Sequence, residues 1–174
     1  MGSIMKKIAI FIFSIILVSG SAVATETSTV LKKIENYLNS LTSISSDFIQ
    51  INNDGSVNTG KFFLQKPLKM RFEYDPPAKH IIMINGSLLV IIDKTSNSEP
   101  QRFPTSMTPL SFLGKPKLDL INSIFLKEFF TTNENTLHIL LFNPKNEKSG
   151  QLELIFTDNP ISLSEWIVTN YSNE

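Results

Sequence analysis

Apolar and polar positions change their period twice along this chain. Val30, Ile34, Tyr37, Leu38, Leu41 and Ile44 recur at helical spacing, and Lys32, Lys33, Glu35, Asn36 and Asn39 fall on the other side. That predicts an amphipathic helix over about 29–41, ended by the Ser/Thr cluster at 42–46. Period two then takes over. Phe48 to Ile51 reads as a short strand closed by Asn52-Asn53-Asp54-Gly55, and Lys61 to Gln65 as a second ended at Pro67. Leu68, Met70, Phe72 and Tyr74 alternate with Lys69, Arg71, Glu73 and Asp75, the pattern of a half-buried antiparallel strand stopped by Pro76-Pro77. His80 to Ile84 and Ser87 to Ile92 flank Asn85-Gly86, a dipeptide favoured in type I′ hairpins. Both arms of that hairpin are apolar on both faces, so both faces need cover.

Residues 99–109 carry Pro100, Pro104 and Pro109 and read as an irregular loop, with a short helical turn at 109–113. Pro116 at a first-turn position opens a second predicted helix, with Leu118, Ile121, Ile124, Phe125 and Phe129 on its apolar side. Three more strands are expected at 136–142, 151–157 and 161–169, broken by Asn143-Pro144 and Asp158-Asn159-Pro160. Sequential strands tend to pair as neighbours. The expected fold is therefore α+β: one open, strongly curled antiparallel sheet, a half-barrel, with two helices covering its concave side. Thirteen Phe and one Trp suit such an interior, although composition alone favours a dry packed core.

Lys6 and Lys7, an apolar run from Ile8 to Val18 and the small-x-small step Ala22-Val23-Ala24 have the form of a secretory leader over 1–24. Residues 25–174 are then one domain, exported to the periplasm. The leader takes two lysines and no acid, so the balance of 16 basic and 16 acidic residues moves to about −2. That excludes the basic footprint of a nucleic-acid binder. The chain has no cysteine, hence no disulfide framework and no thiolate metal site. His80 and His138, the only histidines, each sit inside a predicted strand, and Glu73, Asp75 and Asp93 read as solvated carboxylates. No catalytic motif, metal site or cofactor site is apparent, and the chain reads as non-enzymatic.

Several short motifs stand in a recognisable order. Leu64-Gln65-Lys66-Pro67, Met70-Arg71-Phe72, Pro76-Pro77, Asn85-Gly86 and Ile92-Asp93 follow Asp47-Phe48-Ile49-Gln50 and precede Thr108-Pro109-Leu110-Ser111-Phe112-Leu113 and Glu165-Trp166-Ile167-Val168. This ordered set resembles the periplasmic outer-membrane lipoprotein carriers, the LolA family. The resemblance implies an open half-barrel lidded by helices that holds lipoprotein acyl chains. It also implies an inner-membrane ABC-type exporter that loads the carrier and an outer-membrane acceptor that unloads it. The carrier itself is expected to be a monomer without a cofactor. Carried onto this sequence, it implies a cavity lined by Leu38, Met70, Phe72, Tyr74, Ile82, Ile84, Leu89 and Ile91.

At Lys66 the resembling family has an arginine that fastens the lid to backbone carbonyls. Lysine keeps the charge without the planar fork, which implies a weaker latch, or one assisted by Arg71. Further strands follow the Trp166 segment in that family, so with Glu174 as the last residue either the sequence is shortened or the half-barrel lacks its last edge. A sensing or interaction domain on the same sheet is the alternative to a carrier.

Overall fold

A computed structural model of the chain describes residues 21–132 and 135–169. The expected leader falls largely outside them. The fold is mostly antiparallel sheet with one long helix, an α+β arrangement. Helix α1 spans Ser21–Ser40. Six strands follow as a meander: β1 (Ser43–Ile51), β2 (Val57–Gln65), β3 (Lys69–Tyr74), β4 (His80–Asn85), β5 (Leu88–Asp93) and β6 (Gln101–Pro104). Short 3₁₀ turns at Thr105–Met107 and Pro109–Phe112 lead through an irregular stretch to β7 (Leu126–Thr131), β8 (Thr136–Phe142), β9 (Gln151–Thr157) and β10 (Ser162–Thr169). No helix among the described residues is long and apolar enough to cross a membrane.

The strands fall into two sheets, ordered β1-β2-β3-β4-β5-β6 and β10-β9-β8-β7. This corrects the single, strongly curled sheet expected from the meander: each sheet is open, and neither closes on itself. Of the later strands β8 shows the alternation most plainly. In β8, Leu137, Ile139 and Leu141 are buried while their neighbours are half-buried, the period that one covered face imposes.

The core lies where α1 meets the inner faces of both sheets. Ile34 and Leu38 pack with Phe62, Leu64, Met70, Phe72, Ile84 and Leu89 of the larger sheet, and with Ile139, Leu141, Leu152, Leu154 and Phe156 of the smaller. Trp166 of β10 packs on Phe62 of β2 with ring centroids 5.1 Å apart. Tyr37 meets Phe156 edge-on, and its hydroxyl oxygen accepts the Leu163 N–H at 3.2 Å.

Four local expectations are corrected. The hairpin turn is Gly86-Ser87, not Asn85-Gly86, because Asn85 still pairs with Leu88. Only Gly86 there has a positive φ, +60°, which is the type II′ pattern with glycine in first place. The Ser/Thr cluster after the helix does not stay irregular, since β1 begins at Ser43. Part of the proline-rich loop forms β6, paired with β5. The second helix is absent: 116–125 is irregular and β7 follows. Leu118 and Leu120 are buried there, two residues apart, whereas Ile121 and Ile124 are exposed. One helix, not two, covers the sheet.

Candidate functional site

Phe48, Phe62, Phe72 and Tyr74 form a continuous aromatic run on the inner face of β1–β3, with successive ring centroids 4.7 to 5.8 Å apart. All the proposed cavity residues of β3, β4 and β5 share that face. Met70 pairs with Ile84, Phe72 with Ile82, Ile82 with Ile91, and Ile84 with Leu89. Leu38, Met70, Phe72, Ile84 and Leu89 are buried, while Tyr74, Ile82 and Ile91 pack against them half-buried. The eight are thus brought together beneath α1. Their space is filled by packed side chains, and α1 and residues 112–120 cover it.

Beside the apolar packing of Ile34 and Leu38, a few polar ties hold that cover down. Lys66 follows β2, and its Nζ donates to the Leu38 carbonyl of α1 at 2.6 Å. Burial pushes the Lys66 ammonium pKa down. The Lys66 N–H donates to Thr42 O, the Leu68 N–H to Gly114 O, and the Gly86 N–H to Leu68 O. The turn 66–68 is therefore a hub joining the end of α1, the loop after the 3₁₀ turns and the β4–β5 hairpin. Leu68 sits in the left-handed region at φ 47°, where a side chain is strained. Gly114 packs so closely that an added Cβ would lie 2.8 Å from Met70 Cε.

Arg71 is not part of this hub. It points to the other face of β3, where its Nε donates to Glu73 and its Nη1 lies 3.1 Å from Met83 Sδ.

Glu35 and Asn39, assigned from the pattern to the solvated side of the helix, carry the second attachment. The Asn39 side chain donates to Leu118 O and accepts from Leu118 N–H, both at 2.8 Å, imitating a strand edge. Glu35 is buried, accepts the Leu120 N–H at 2.8 Å and pairs with Lys32. Burial pushes its carboxyl pKa up, but the Lys32 ammonium and the Leu120 N–H outweigh that and hold it below the usual glutamate value. The sequence does contain a signal for both: at i and i+4 they border the Ile34–Leu38 stripe. Lys115 braces the loop itself, its Nζ 3.9 Å from the Phe125 ring centre and 4.6 Å from that of Phe112.

The three carboxylates read as solvated are dispersed. Glu73 binds Arg71, Asp75 accepts from Thr59, and Asp93 accepts from Thr95 and lies 3.6 Å from His80. His138 bridges Thr136 and Glu153 on the outer face of the smaller sheet, stacked on Phe130. Among the described residues, no three His, Asp or Glu side chains cluster as metal ligands would.

A chain with this face and this cover has relatives of known type. An outer-membrane lipoprotein carrier protein of Coxiella burnetii (strain RSA 493 / Nine Mile phase I) is 28% identical over 176 residues, covering 97% of this chain and 82% of its own. The protein of the same name from strain CbuK_Q154 is 25% identical over the same shares. An uncharacterised protein of Rickettsia prowazekii (strain Madrid E) is 25% identical over 122 residues, 70% of this chain, and the match spans only 56% of that protein's length. The family model described as outer membrane lipoprotein carrier protein LolA matches residues 39–174, which takes in every strand and the hub at Lys66. The chain belongs to the LolA family of outer membrane lipoprotein carrier proteins.

Proposed function

We propose that this protein is a periplasmic chaperone that takes up the acyl chains of lipoproteins released from the inner membrane and carries them to the outer membrane. The observation that carries the reading is the attachment of the cover. An apolar sheet face is sealed by α1 and residues 112–120, which are joined to each other through Asn39 and Glu35 and tied to the turn after β2 by the bonds of Lys66 to Leu38 O and Leu68 to Gly114 O rather than by a strand ladder. Displacing the cover breaks few bonds and exposes Met70, Phe72, Ile84 and Leu89 together.

An acyl chain in water costs about 0.8 kcal/mol per methylene, roughly 12 kcal/mol for a chain of about 15, so crossing an aqueous space needs an apolar host. The host must also release its cargo. Covering the empty site with its own helix provides for this, because closure competes with the bound chain. The two open sheets and α1 act together as a half-barrel, with Lys66 as its latch. An ATP-driven exporter in the inner membrane and an acceptor in the outer membrane supply loading and unloading. The chain itself carries no reaction in this reading.

The test is release from inner-membrane vesicles holding a labelled lipoprotein, with ATP and the purified protein. Lipoprotein recovered in the soluble fraction in a one-to-one complex is the expected result. Lipoprotein that stays with the vesicles at saturating protein overturns the reading.

A further inference from the structure

Asn85-Gly86 is the only Asn-Gly step in the sequence, and it lies against the hub at 66–68. An asparagine followed by glycine is chemically labile, because no Cβ on the next residue keeps its backbone nitrogen from the asparagine side-chain carbonyl carbon. The Asn85 side chain is exposed and makes no hydrogen bond among the described residues. It lines an open groove that Lys69 and Arg71 also border. Nothing around the side chain itself shields it.

The shield is in the backbone. The Gly86 N–H must lose its proton before the nitrogen can react, and it donates to Leu68 O at 2.9 Å. Asn85 is held extended, paired with Lys69 on one side and Leu88 on the other. Leu68 is in turn fastened at both of its peptide groups, its N–H donating to Gly114 O at 2.8 Å and its carbonyl accepting from Gly86. With φ 47° it holds a strained conformation, which lasts only while such contacts impose it. Loss of the Gly114 bond lets Leu68 relax and draws its carbonyl away from Gly86.

We propose that Asn85 is a self-modification site, silent while the turn 66–68 is closed and deamidated when the loop at 112–120 leaves that turn. The freed Gly86 nitrogen attacks Asn85 Cγ, the new N–C bond closes a succinimide, and the Cγ–N bond breaks. Ammonia departs with the proton that the Gly86 nitrogen gave up. Water then opens the ring at either carbonyl, leaving aspartate or isoaspartate. Either product sets a carboxylate on the strand pair that carries Lys69. The isoaspartyl form also adds a carbon to the backbone between β4 and Gly86, so the Gly86 N–H no longer meets Leu68 O and the turn stays loosened. The inference rests on these bonds and not on cargo, so it holds or fails apart from the carrier function.

Peptide mass spectrometry of the purified chain, incubated at mildly alkaline pH, follows Asn85, and methylation by a protein isoaspartyl methyltransferase counts the isoaspartate. A synthetic peptide of residues 82–90 sets the unshielded rate. The folded chain should be modified at least about tenfold more slowly, its rate reading the fraction of time the turn is open. Gly114→Ala places a Cβ 3.0 Å from Leu68 Cα and should speed the reaction several-fold. Lys66→Leu cuts the bond from this turn to α1, should act in the same direction, and serves alone if Gly114→Ala does not fold. Ile139→Val weakens the β8 core away from the turn and should keep the parent rate. Three outcomes overturn the proposal. The folded chain is modified as fast as the peptide, or neither turn variant exceeds the parent, or Ile139→Val speeds the reaction as much as they do, which would place it in the globally unfolded chain.

Discussion

Lys66 binds a helix carbonyl with a charged donor, yet burial works against that charge. The two effects oppose each other, so Lys66→Leu should change global stability by no more than about 1 kcal/mol while freeing the end of α1. A dye that fluoresces in apolar surroundings should then bind several-fold faster; an unchanged rate removes Lys66 from the latch. Lys66→Arg should do the reverse, because a planar fork can reach a second carbonyl. Glu35 responds to pH. Its folded-state pKa is lowered, so its contribution is complete at neutral pH and is lost as pH falls below the ordinary glutamate value through the folded one. Glu35→Gln should flatten the acid limb of the thermal midpoint against pH. Glu35→Ala should cost about 1–3 kcal/mol by leaving the Leu120 N–H buried without an acceptor. If both variants melt like the parent across the pH range, the buried carboxylate does not hold the loop.

At the scale of elements, two glycines separate conformation from space. Gly86 has φ +60° and nothing within 4 Å of an added Cβ, so Gly86→Ala tests backbone strain alone and should cost about 1–2 kcal/mol. Gly60 is the opposite case: an added Cβ would overlap the Glu73 carbonyl and come within 2.8 Å of Phe48 Cε1. Gly60→Ala should therefore be the more damaging, by 3 kcal/mol or more in the order of magnitude of core overpacking. Chemical denaturation of the two variants ranks them, and the opposite order would mean that β2 and β3 can part without cost. Such elements also show what is legible in a sequence. β3 and β8 are plain because one covered face imposes period two on most of their residues. The expected cavity face of β3 to β5 is gathered on one side for the same reason. The stretch at 116–125 misleads because its spacing fits a helix while its bonds lie elsewhere. Asn122 N–H bonds Asp119, Phe125 N–H bonds Ser123, and the N–H groups of Leu118 and Leu120 go to side chains of α1 about 80 residues away. Long-range acceptors of that kind leave no periodic trace. Glu35 and Asn39 border the apolar stripe of α1, which marks them as close to the covered face but not the partners they bind.

For the whole molecule, the two sheets and the helix are not equally bound to one another. Ile139, Leu141, Leu152, Leu154 and Phe156 are fully buried on neighbouring strands of a hydrogen-bonded ladder, so their amides open only when the molecule unfolds. α1 belongs to no ladder. It is retained by its apolar stripe and by the hydrogen bonds through Lys66, Asn39 and Glu35. A carrier whose site is closed by its own helix must lift that helix without melting the sheets, and this ordering is measurable. Native-state amide exchange should show α1 and residues 112–120 opening together, well below the free energy of global unfolding, while β8 and β9 exchange only at the global limit. Lys66→Leu should lower the first value and leave the second nearly untouched. If α1 exchanged at the global limit along with β8 and β9, the apolar face of β3 to β5 would be reachable only in the unfolded chain. No acyl chain could then be sheltered there by the native protein.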